Sequence, residues 1–171
     1  MLRSLVAFVA LLALTAAGPA PTADEGKKEP DQQEKQGEPK LELSRTEQTL
    51  LDLTNKERAK EKLPPLKFNP VLTKVARAHS ANMARQHKMD HVLDDKTPAD
   101  RVEAAGYDYR SMGENVAAGD KEATIDMIFK GWMDSKDHRE HILSPKFDEI
   151  GIGLAADKRE VYYTQVFGKQ R

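Results

Sequence analysis

Between residues 121 and 154 the hydrophobic period of this chain changes, and that change limits its fold more than any other feature. In "DKEATIDMIFKGWMDS", Ile125, Ile128, Phe129 and Trp132 fall at i, i+3, i+4 and i+7, the stripe of an amphipathic helix. In "EIGIGLA", Ile150, Ile152 and Leu154 alternate with small residues, the pattern of a strand with one buried face. "VYYTQVFG" is rich in β-formers, and the polar run Asp157 to Glu160 separates it from the first strand. The two runs read as a hairpin. A chain holding both patterns must bury a sheet face and a helix stripe against each other.

Upstream, the punctuation is helical. Ser44 and Glu47 form a capping-box pattern, and Leu50, Leu51, Thr54 and Arg58 then recur at helical spacing. Pro64 and Pro65 end that helix, because neither can continue it. Asn69 and Pro70 open the next as N-cap and first helical residue, with Leu72, Val75, Ala76, His79 and Met83 on its buried face. A third, short helix takes Thr97 as cap, Pro98 as first residue and Gly106 as stop. "SMGENVAAGD", residues 111–120, is small and apolar enough for a short buried strand. The expected class is α+β: about three strands in a small antiparallel sheet between helical layers.

The ends read differently. Residues 5–17, "LVAFVALLALTAA", follow Arg3 and precede small residues, the n-, h- and small-residue pattern of a secretory signal peptide over residues 1–20, with cleavage between 17 and 23. The run is too short for a bilayer, which needs about 20 residues. Residues 21–43 read as a charged disordered linker, since 24–40 carry no apolar side chain to offset chain entropy. Residues 44–171 remain as one domain. The protein is expected to be secreted, extracellular or periplasmic, monomeric, and without a membrane span once the signal is removed. Lys+Arg 27 against Asp+Glu 28 leaves no basic surface for nucleic acid. With no cysteine, disulfides and thiolate chemistry are excluded.

One residue stands out chemically. Glu114 sits among Gly, Met, Val and Ala, and a carboxylate there is costly to bury unless something pairs with it. The histidines are His79, His87, His91, His138 and His141. No H-E-x-x-H, G-x-S-x-G or phosphate-binding glycine loop is present. His138 and His141, in "HREH", stand at i and i+3, a weak metal-ligand spacing. His91, Glu114 and His138 are almost evenly spaced, each at the edge of a predicted element, which is compatible with convergence on one cleft. His79 reads as a hydrogen-bonded core histidine, His87 as a solvated one, and Trp132 as core.

"MGENVA", "GWMDSKDHREHILSPKFDEIGIGLA" and "YYTQVFG", in that order, together with "LLDLTNKERAKEKLPPLKFNPVLTKVARAHSANMA", resemble the bacterial branch of the CAP superfamily. That superfamily contains the cysteine-rich secretory proteins, antigen 5 and the plant pathogenesis-related proteins. The resemblance covers about residues 46–168 and implies an α–β–α sandwich. It also implies a central cleft of two histidines and two acidic residues, which in several members binds a divalent metal such as zinc. By motif position the histidines are His91 and His138 and the acid is Glu114. Where animal and plant members carry a second Glu, this chain has Ser135, so the implied zinc set is His91, His138 and Glu114, with water in the fourth place.

Glu114 has an alternative role as a hydrogen-bonding carboxylate that ties strand to helix. Two functions follow from the resemblance. One is a secreted binding module for a small ligand, a lipid or a cell-surface partner. The other is a metal-assisted hydrolase of peptides or cell-envelope material. With no nucleophile beside a base and the second acid missing, the binding module is preferred and the catalytic residues are unassigned.

Overall fold

The computed structural model describes residues 41–171; the expected signal peptide and most of the expected linker lie outside the described residues. α1 (Arg45–Lys60), β1 (Lys67–Phe68), α2 (Pro70–Gln86), α3 (Pro98–Ala104), β2 (Tyr109–Asp120), α4 (Ile125–Asp134), α5 (Lys136–Ile142), β3 (Glu149–Ala156) and β4 (Glu160–Gln170) follow one another along the chain. Caps set the helix starts. Ser44 and Glu47 bond reciprocally across the first turn of α1, and Thr97 and Asp100 do the same in α3. The Asn69 side chain accepts from Val71 and Leu72 at the start of α2, with Pro70 as the first helical residue.

The sheet order is β1-β3-β4-β2. The β3–β4 hairpin is antiparallel, as its alternation predicts, and β2 pairs antiparallel with β4. β1 adds a strand that the sequence reading missed. It has only two residues, too few for a period to show, and it runs parallel to β3, which makes the sheet mixed. β2 is longer than the expected short strand, and only Gly113 to Val116 are buried.

Helices cover both faces. Leu50 and Leu51 of α1, Ile128, Phe129 and Trp132 of α4 and Ile142 of α5 pack with Ile150, Ile152, Tyr163 and Phe167 on one face. Leu72, Val75, Ala76 and Met83 of α2 and Val102 of α3 pack with Val116, Tyr162 and Val166 on the other. The alternation in "EIGIGLA" now has its cause. The isoleucines face α1, and the glycines let α2 lie directly on β3: a Cβ at Gly151 would come 2.0 Å from the Leu72 carbonyl carbon, and one at Gly153 2.2 Å from the Arg77 nitrogen.

Candidate functional site

β2 lies at the sheet edge, and its pleat sends successive side chains to opposite faces. Glu114 stands opposite Val166 in register and Asn115 opposite Gln165. The two neighbours therefore belong to different layers, and each gathers its own polar group.

On the α2–α3 face Glu114 is 4% exposed. Its Oε1 accepts from Nδ1 of His91 at 2.9 Å and its Oε2 from Nη2 of Arg101 at 2.8 Å. Arg101 lies in the capped first turns of α3 and also donates Nη1 to the Lys96 carbonyl at 2.8 Å. His91 lies in the loop after α2. That loop is held by His79, whose Nε2 donates to the Asp90 carbonyl at 2.9 Å and stands 3.8 Å from Glu114 Oε1. Since a carbonyl can only accept, the His79 proton is on Nε2 and Nδ1 is left as an acceptor. His79 Nδ1 and Arg101 Nε are the buried side-chain atoms without a partner among the described residues.

On the opposite face Asn115 is a fully buried hub. Its Nδ2 donates to the His138 carbonyl at 3.1 Å and to Gln165 Oε1 at 3.2 Å, and its Oδ1 accepts from His141 Nδ1 at 2.8 Å. Gln165 passes the chain on to Thr54 Oγ1 at 3.0 Å, and Thr54 donates to the Leu50 carbonyl. α5, β2, β4 and α1 are thus joined by one line of buried hydrogen bonds. His141 seats over Gly113, where a Cβ would come 3.0 Å from its Cδ2, and lies near the Phe147 and Phe167 rings.

The histidines separate electrostatically. The hydrogen bond to Glu114 raises the His91 pKa above the ordinary value, with burial opposing it. Burial lowers His79, His138 and His141, and the nearby His91 lowers each of them further. This leaves one imidazole biased toward its cation and three that burial biases toward the neutral form. The His91 side chain is 46% exposed, so its ring is the part of the pair open to solvent. Among the described residues no protein hydrogen bond engages its Nε2.

Of the sequence-selected residues, His91 and Glu114 meet directly. His138 belongs to α5, its carbonyl accepts from Asn115, and among the described residues no hydrogen bond joins its ring to His91 or Glu114. Ser135 occupies the N-cap position of α5 without making a capping hydrogen bond. His79, read as core, is buried and hydrogen-bonded, and it also backs the carboxylate. Arg101 was missed. The signal for it was indirect: a buried carboxylate requires a cation or donors, and Arg101 is an arginine on a short capped helix just upstream of Glu114.

The implied metal can be tested against these donors. Both Glu114 oxygens already accept hydrogen bonds, one from a guanidinium. Among the described residues no group of three or more His, Cys, Asp or Glu side chains is placed to hold a metal ion. As arranged, His91, Glu114 and His138 do not fit a three-ligand zinc site.

A three-layer domain of this topology has known relatives. The model of the cysteine-rich secretory protein family, CAP, matches residues 51–167, and the chain belongs to that family. It is 37% identical over 128 residues to YkwD, an uncharacterized protein of Bacillus subtilis (strain 168), covering 74% of this chain and 49% of YkwD. An extracellular protein containing an SCP domain from Bacillus anthracis str. Ames shares 28% identity at a TM-score of 0.66, over 73% of this chain and 40% of that one. An outer surface protein of Borrelia burgdorferi shares the fold at 20% identity and a TM-score of 0.70, over 77% of this chain and 97% of that one. The chain spans about half the length of YkwD. Among the described residues no helix is long and apolar enough to cross a membrane.

Proposed function

We propose that this CAP domain works outside the cytoplasm as a binding module whose ligand contacts the exposed side of His91. The observation that carries this reading is the His91–Glu114–Arg101 arrangement. Glu114 is buried and its two oxygens are taken, so its work is to orient His91. His91 in turn has a part-exposed ring whose Nε2 makes no protein hydrogen bond among the described residues. Such a group suits a hydrogen-bonding ligand; His138 and Ser135, on the α5 side, are candidates for its second contact. The extracellular setting is supported by the secretory pattern of residues 1–20 and by the description of the B. anthracis relative. A small ligand or a cell-surface partner meets these requirements.

A second reading is favoured by the same pair. A carboxylate on Nδ1 with Nε2 outward is what a general-base histidine needs. It would make the cleft a hydrolase for peptide or cell-envelope material, with water as the nucleophile. Co-sedimentation with isolated cell-envelope material, followed by assay of released fragments, separates the two. Saturable binding that His91→Ala abolishes, with no released fragments, supports the module. Fragment release that Glu114→Gln abolishes supports the hydrolase. Binding unchanged by His91→Ala would remove the cleft from both.

A further inference from the structure

We propose that Arg101 is the resident cation of the cleft and keeps divalent metals away from Glu114. The inference rests on the geometry of the carboxylate alone, and it stands whether the cleft binds or hydrolyses. Glu114 is almost fully enclosed, and burying its charge requires a counter-charge. The chain supplies one covalently: Arg101 Nη2 lies 2.8 Å from Oε2, while His91 Nδ1 takes Oε1 at 2.9 Å. A metal ion ligated by Glu114 would have to displace one of these donors or take a remaining lone pair, and either way sit within a few ångströms of a guanidinium that stays charged at any accessible pH. Two positive centres that close, in a site largely shielded from water, repel strongly.

Arg101 is also held in place. Its side chain is only 12% exposed, its Nη1 is fixed to the Lys96 carbonyl, and the reciprocal Thr97–Asp100 bonds pin the start of its helix. Swinging away for an incoming ion would break the guanidinium's bonds to both Glu114 and the Lys96 carbonyl. The side chain that a metal would need as its acidic ligand is thereby committed to an internal salt bridge, and Arg101 decides which cation the cleft carries.

Isothermal titration of zinc chloride into the purified protein tests this. Arg101→Gln removes the charge and keeps a polar side chain; Arg101→Lys keeps a cation. The wild-type protein and Arg101→Lys are expected to bind zinc weakly, and Arg101→Gln to gain a one-site isotherm at least about tenfold tighter, lost again when His91→Ala is added. Tight one-site binding by the wild-type protein that disappears in Glu114→Gln overturns the proposal, as does a folded Arg101→Gln with no gain. Should Arg101→Gln fail to fold, the wild-type protein and Glu114→Gln carry the test: equal, weak affinity supports exclusion, and a large loss in Glu114→Gln refutes it.

Discussion

Glu114 was legible in the sequence because a carboxylate among apolar neighbours asks for a partner, whereas His91 was selected only by its position in the family motif. Arg101 was not legible, because nothing in a lone helical arginine says which residue it will face. The same limit explains His138. Motif position selects it, while its carbonyl meets Asn115 from α5, a contact that no local pattern announces. The pairing has a measurable consequence at each ring. His91 should titrate above the ordinary histidine value of about 6.5, since its bond to Glu114 favours the imidazolium. His79, His138 and His141 should titrate below it, since burial disfavours theirs. Imidazole proton resonances followed from pH 5 to pH 8 would resolve the order, and Glu114→Gln should bring His91 back toward the others. A His91 that titrates with or below His138 would mean that the Glu114 contact is not formed in solution.

Among the elements, those with local signals were the readable ones. Capping boxes, Asn-Pro and Thr-Pro starts, and the alternation of β3 act within a few residues, so α1, α2, α3 and the β3–β4 hairpin follow from sequence. β1 and the full length of β2 are set by strands distant in sequence, and no local pattern announces them. Arg58 lies between these cases. Its helical spacing placed it on the buried face of α1, yet the reason for an arginine there is tertiary: it donates to the carbonyls of Pro64, Ile142, Ser144 and Phe147 and is 1% exposed. Lysine cannot reproduce that fork, so Arg58→Lys should cost about 2–4 kcal/mol by leaving buried carbonyls unpaired, read as a fall in the urea midpoint. The glycines of β3 make a sharper test. Gly153→Ala would drive a Cβ into the α2 backbone at 2.2 Å, and neither helix nor strand can yield without losing the packing between them. A loss of at least about 3 kcal/mol, or failure to fold, is expected. Gly131 in α4 has open space around its Cβ position, and Gly131→Ala should stabilise by about 0.5–1 kcal/mol. Equal effects at the two positions would contradict the direct seating of α2 on β3.

At the scale of the molecule, the change of period forced helices onto a sheet, and the α–β–α layering follows from that with little help from any single residue. The four histidines around β2 then give the whole domain a pH signature. A group whose pKa is lower folded than unfolded stabilises the fold above its unfolded value, and that stabilisation is lost as pH falls below it, because the unfolded chain then binds more protons. His79, His138 and His141 are of this kind, so their contributions are present above about pH 6.5 and decline on acidification. His91 has the opposite sign: its contribution is full below about pH 6.5 and is lost as pH rises through its raised folded value. The lowered carboxylates Glu47 and Glu149 act only below their ordinary range, under about pH 4.5, and leave the window from pH 5 to pH 8 to the histidines. With three groups against one, urea midpoints should fall from pH 7 to pH 5, and a smaller decline should appear above pH 7. His138→Gln should flatten the acidic limb and His91→Gln the alkaline one, since each variant removes one titrating group of known sign. A midpoint that rises steadily toward pH 5 in the wild-type protein would show that the buried imidazoles are charged in the fold, and the neutral character assigned to the α5 side of the cleft would be wrong.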